Sequence, residues 1–120
     1  MQWQEHPNFQ KEYAKLARKQ RGLDFGYQAA KKLLEQQFNP INPKAIITTG
    51  KLHRLTVYDS GVSFWKFEVM VKGLRPGQWP RMWFAVNGTT ITFLAVASHT
   101  DNYDNNTIDR LALSRYDEIA

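Results

Sequence analysis

Phe9, Tyr13, Leu16 and Ala17 recur at i, i+4, i+7 and i+8, with Lys11, Lys15, Arg18 and Lys19 between them. That spacing predicts an amphipathic helix over residues 8 to about 20. Gly22 ends it, and Asp24 stands where it can cap a second helix with the stripe Tyr27, Ala30, Leu34 and Phe38. Asn39-Pro40 stops this second helix, because the residue before a proline is driven out of the α region. The first third is therefore expected to be a helical hairpin. Met1 to His6 offers a short strand on the strength of Trp3 alone.

Beyond the connection Asn39 to Pro43 the period changes from helical to two, and the residues become β-branched and aromatic. Leu52 to Tyr58 reads as one strand, Asp59-Ser60-Gly61 as a hairpin loop, and Val62 to Val71 as the return strand. Trp65, Phe67, Val69 and Val71 fall on one face of it, with Phe64, Lys66 and Glu68 on the other. Lys72 to Pro80, with two Gly and two Pro, is a loop. Arg81 to Val86 and Thr89 to Ser98 form a second hairpin about Asn87-Gly88, and the apolar run Ile91 to Ala97 marks a central strand. Ile108, Leu111, Ala112 and Ile119 predict a closing helix capped from Asp104 to Thr107. The expected fold class is α+β in one domain, 1–120: an N-terminal helical hairpin packed on a four-stranded antiparallel sheet, with a C-terminal helix and all helices on one sheet face.

With 120 residues, 42% of them apolar, the chain is long enough to build one core. No cysteine is present, which excludes a disulfide framework and a thiolate site and fits a reducing compartment. The start lacks a basic segment followed by an apolar one, and no run nears the ~18 apolar residues of a membrane span. The cytoplasm is the expected location. The net charge of +5 favours a polyanionic partner, and its distribution sharpens that reading: residues 39 to 100 carry seven Lys or Arg against Asp59 and Glu68, whereas residues 101 to 120 carry two Arg against five acids. A merely solvated surface with an acidic terminal helix accounts for the same numbers.

The densest polar and titratable stretch is His99, Asp101, Asn102, Tyr103, Asp104, Asn105 and Asn106, directly after the buried strand. It reads as a site or, more plainly, as an Asx-rich turn that caps the last helix. With three His and no spaced partner, metal ligation is disfavoured, and no metal or other cofactor is expected. Phosphodiester cleavage without a metal needs a base for the 2′-hydroxyl, an acid for the leaving 5′-oxygen, and fixed cations. His99 can serve as acid or base, and Tyr103 can donate a proton or stack on a base. Arg81, Lys66 and Arg54, each on a strand, are candidates to converge on one phosphate, with Lys51 and Arg75 as weaker ones. Trp79 stands in the long loop, either exposed to ligand or packed as a lid. Trp65, Trp83 and Phe93 belong to the core. His53 is out of phase with Arg54, so only one of the two can enter a given groove.

The Arg-led strand at Arg81, the Asn-Gly hairpin, the strand Ile-Thr-Phe-Leu-Ala-Val-Ala-Ser-His and the following Thr-Asp-Asn-Tyr-Asp-Asn-Asn with its helix resemble the RelE/ParE toxin superfamily, in its RelE/HigB-like branch. Residues 81 to 106 carry the specific part of the resemblance. It implies a toxin of a type II toxin–antitoxin pair that cuts mRNA on the ribosome without a metal and inhibits translation. Arg81 then looks like the arginine that holds the scissile phosphate, and His99 and Tyr103 like the acid–base pair. The implied partners are a cognate antitoxin protein, mRNA and the ribosome. The ParE branch shares the fold but inhibits DNA gyrase by binding, and a relative without toxicity would act as a binding protein alone. Two departures stand out: the loop Lys72 to Pro80 is longer and richer in Pro and Trp than that family's pattern, and the basic cluster is thinner.

Overall fold

The computed structural model describes residues 1–47, 51–98 and 104–120. Its elements run β1 (Gln2–Glu5), α1 (Pro7–Ala17), α2 (Leu23–Gln37), β2 (Leu52–Val57), β3 (Ser63–Glu68), a 3₁₀ turn (Pro76–Gln78), β4 (Arg81–Asn87), β5 (Thr90–Ala97) and α3 (Asn105–Ile119). The strands make one mixed sheet in the order β1-β5-β4-β3-β2. Strands β2 to β5 pair antiparallel in sequence, while β1 lies parallel to β5 with Trp3 opposite Ile91. The fold is thus α+β with three helices and five strands, which corrects the four-stranded antiparallel expectation. Trp3 earned its strand by stacking on Phe93, ring centroids 6.0 Å apart.

Helices α1 and α2 cover one sheet face, where Phe9, Leu23, Tyr27 and Leu34 pack on Phe67, Met82, Phe84, Ile91 and Phe93. The opposite face is also apolar, with Phe64, Trp83, Ala85, Leu94 and Ala95, and α3 covers it with Ile108, Ala112, Leu113 and Tyr116. All helices on one face was therefore the wrong expectation: β4 and β5 are buried on both sides, and a second layer is needed to keep that face from water. A bulge in β5 serves both layers. Between Trp83 and Phe84 the register slips, so that Leu94 and Ala95 both face α3 while Phe93 and Val96 face the other helices.

Local chemistry sets the helix ends. The His6 Nδ1 accepts the Asn8 backbone N–H at 3.0 Å ahead of Pro7, and its Nε2 meets Glu118 at 3.0 Å. Helix α1 ends at Ala17, and Gly22, not Asp24, precedes α2; Asp24 instead accepts the Tyr13 hydroxyl at 2.9 Å. Burial and that hydrogen bond push the Tyr13 phenol well above its usual range. Asp104 caps α3 by accepting the Asn106 N–H at 3.2 Å and the Thr107 hydroxyl at 3.1 Å. Among the described residues no helix is long and apolar enough to cross a membrane.

Two contacts hold the layers at fixed spacing. Gly26 brings α2 so close to the segment after β3 that an added Cβ would sit 2.4 Å from the Met70 carbonyl oxygen. Arg115 of α3 reaches Glu12 of α1 through two hydrogen bonds of 2.9 Å and the Leu94 carbonyl at 2.7 Å. Gly26→Ala is expected to destabilise the protein by roughly 1–3 kcal/mol, because the overlap outweighs the ~1 kcal/mol of helix propensity that alanine adds. Arg115→Met is expected to cost about 3 kcal/mol by stranding Glu12 and the Leu94 carbonyl. Urea denaturation of the purified variants measures both; midpoints equal to the parent's would refute these assignments.

Candidate functional site

The β3–β4 register places polar side chains on the α3 face, at the end of the sheet where β5 ends and α3 begins. Two rows cross the strands there. One runs His53, Lys66, Trp83, Ala95; the other runs Glu68, Arg81, Ala97. Side chains directly opposite in an antiparallel pair share a face, so these rows form one surface. The sequence gives the reason: β3 alternates Phe64, Lys66, Glu68 on this face, and Phe64 packs on Tyr116 in the last turn of α3 while Lys66 meets Asp109 nearer its start.

Helix α3 supplies the other wall. Asn105 and Asp109 are four residues apart and so project from one helix face. The Asp109 carboxylate accepts the Trp83 indole N–H at 2.7 Å and holds the Lys66 ammonium at 3.3 and 3.4 Å. Asn105 Oδ1 accepts from Arg81 Nη1 at 3.1 Å, and Arg81 Nη2 lies 3.6 Å from Glu68 Oε1. Lys66, Asp109, Arg81 and Glu68 are all between one-sixth and one-quarter exposed, so the pairs are partly desolvated and still open to solvent. Such pairs attract more strongly than fully exposed ones. Two cations and two carboxylates thus stand together, partly buried, between the sheet and the first turns of α3.

The expected site residues divide between the two faces of the sheet. Arg81 and Lys66 come together in the site. Arg54 does not: it pairs with Trp65, which packs under α1 and α2, so it faces the other way. The phase argument about His53 and Arg54 holds, and it selects His53, which stands opposite Lys66. Lys51 also lies away from the site, its ammonium 3.8 Å from the centre of the Trp79 ring. Trp79 is 8% exposed and belongs to the core, with its indole N–H donating to the Leu74 carbonyl at 3.3 Å. Arg75 is exposed at the start of the 3₁₀ turn. His99 and Tyr103 fall outside the described residues. Asp109 and Glu68 were missed by the sequence reading, whereas Asn105 stands in the polar stretch that it read as a site or a cap. Asp109 left one trace, a carboxylate between Ile108 and Leu111 in an otherwise apolar helix stripe.

Comparisons with protein-family models, with curated proteins and with solved structures return no match for this chain.

Asp109 is the shared acceptor of the site. Asp109→Ala is expected to cost roughly 2 kcal/mol, since it strands both the Trp83 N–H and the Lys66 charge. Asp109→Asn is expected to lose less than half as much, because an amide oxygen still accepts from the indole. Equal losses for the two variants in chemical denaturation would show that the Trp83 hydrogen bond contributes little.

Proposed function

We propose that this protein is a RelE/HigB-like toxin of a type II toxin–antitoxin pair, acting as a metal-independent, ribosome-dependent mRNA endoribonuclease. The observation that carries the reading concerns Arg81. It stands opposite Ala97, two residues before His99 in the chain, and it is held by Asn105, two residues after Tyr103. Both ends of the stretch that contains the expected acid and base are therefore anchored at the same arginine. The resemblance over residues 81 to 106 supports the same assignment.

In this mechanism Arg81 binds a non-bridging oxygen of the scissile phosphate, exchanging Glu68 for the stronger, bidentate phosphate contact. Lys66 offers a second cation for the charge that develops on phosphorus. A base among His99 and Tyr103 takes the 2′-hydroxyl proton, the 2′-oxygen bonds to phosphorus as the P–O5′ bond breaks, and the other group returns a proton to the 5′-oxygen. The products are a 2′,3′-cyclic phosphate and a 5′-hydroxyl.

A second reading rests on one specific observation: both cations already have carboxylate partners, Asp109 and Glu68. A surface so neutralised suits a toxin of the ParE kind, which inhibits gyrase by binding a protein rather than by cutting RNA.

The test is tightly controlled induction in growing cells with 5′ ends mapped on a translated message. Under the nuclease reading the parent stops growth with codon-phased cuts. Arg81→Ala should lower cleavage by roughly 10²-fold, as loss of a donor to a developing oxyanion does. The His99→Ala/Tyr103→Phe double variant should abolish it. Arrest with intact message and gyrase-linked DNA breaks would transfer the assignment to the gyrase inhibitor. Unimpaired growth would leave a non-toxic binding protein.

A further inference from the structure

On the sheet face opposite the charged site, helix α2 leaves one side uncovered. Phe25, Ala29 and Leu33, spaced i, i+4 and i+8, all face solvent, with Phe25 79% exposed. Across from them stands Met70, 66% exposed, and Ile46 closes the end. Together they border a trough of about 570 Å³ whose floor includes Phe67 and Trp79. Contiguous exposed apolar surface of this kind marks an interaction site rather than a random scatter of surface residues. The trough is also preformed, because Gly26 sets α2 in direct contact with the Met70 backbone.

We infer that this trough docks an amphipathic, acidic α-helix from a partner protein. The exposed α2 row spans about 12 Å, a little over two helical turns, which fits the i, i+3, i+4, i+7 anchors of a helix lying in a groove. The charges that border the trough are Lys51, Lys72 and Glu68. Glu68 is ion-paired with Arg81, which leaves the lysines to define the sign of the rim. Lys51, lying on the Trp79 ring, is fixed in place to meet a carboxylate. The apolar walls do not suit a phosphate backbone. The net charge of +5 opposes a second copy across a lysine-bordered groove. Phe25 and Met70 are too exposed to enclose a small ligand, whose surface a dedicated pocket covers by roughly 70–90%. The trough and the charged site lie on opposite sheet faces and meet at Glu68, which borders the trough and pairs with Arg81.

Two labelled 18-residue helical peptides test this by fluorescence anisotropy with the full chain. Both carry Leu along one face; one has Glu at the flanking positions and the other Lys. The acidic peptide is expected to bind roughly tenfold or more tighter than the basic one at low salt. Phe25→Ser/Leu33→Ser should weaken it roughly tenfold, and Lys51→Gln/Lys72→Gln roughly fivefold with loss of the preference for acid. These positions are solvent-facing, and thermal melts will report that the variants remain folded. Equal binding of the two peptides, or binding unaffected by the variants, overturns the inference. So does a Leu33-dependent dimer in sedimentation equilibrium, which would make the occupant a second copy. No arm uses RNA, so the result stands or falls apart from the nuclease reading.

Discussion

The Arg115–Glu12 pair closes the one edge that the sheet leaves open in its interior. Strand β1 accompanies β5 only from Thr90 to Phe93, with the His6 N–H on the Phe93 carbonyl at 2.9 Å as the last backbone contact. Past that point β5 has no strand on the side away from β4, yet Leu94 to Ala97 are buried. Unpaired peptide groups in such a place would cost about as much as several lost hydrogen bonds. Arg115 takes the Leu94 carbonyl, and Glu12 takes the Val96 N–H at 3.3 Å. The same two side chains pair with each other, so helices on opposite sheet faces are joined around the edge. A side-chain ion pair here replaces two rungs of a β-ladder.

The remaining architecture follows from that closure. Because β1 can be short, the chain turns at once into α1, with His6 and Pro7 setting its first turn. Because Leu94 is held by Arg115, the bulge that puts both Leu94 and Ala95 under α3 is fixed, and with it the position of α3 over β4. Asn105 and Asp109 belong to the same helix as Arg115. Their reach to Arg81, Lys66 and Trp83 therefore depends on the lock at Arg115, about 9 to 15 Å away along the helix axis.

Much of this was legible in the sequence wherever one local rule acted alone. Period-two patterning located β2 to β5, the Asn87-Gly88 turn located the second hairpin, and Asp104 capped α3 from within the expected interval. What escaped were features that arise between elements. No local signal in Gln2–Glu5 says that it pairs parallel with a strand some 90 residues later; Trp3 on Phe93 and the Thr92 hydroxyl on Gln4 favour that pairing only once the two strands are side by side. Nor does periodicity distinguish one buried face from two: the run Ile91 to Ala97 signalled a central strand without saying that a helix was needed on each side. The bulge at Leu94 shifts the phase of the strand after it, which a strict alternation cannot register.

The site was half legible for the same reason. Arg81 and Lys66 were found because each falls on a strand at a position where a core would not place a cation. Arg54 satisfies that criterion equally and yet faces the other way, since the criterion has no means of telling one sheet face from the other. The counter-charges Glu68 and Asp109 were invisible until two strands and a helix were set beside each other. Their presence changes what the site can do. A bare pair of cations would bind any polyanion, whereas cations already matched by carboxylates require a ligand that offers more than charge. A phosphate placed for two hydrogen bonds from Arg81 would meet that demand, because planar guanidinium geometry rewards a bidentate partner over the 3.6 Å contact to Glu68. Under the proposed nuclease reading, selectivity for a correctly presented phosphodiester would arise from the exchange of partners at Arg81, and the acidic residues beside it would be the reason the site ignores phosphate at large.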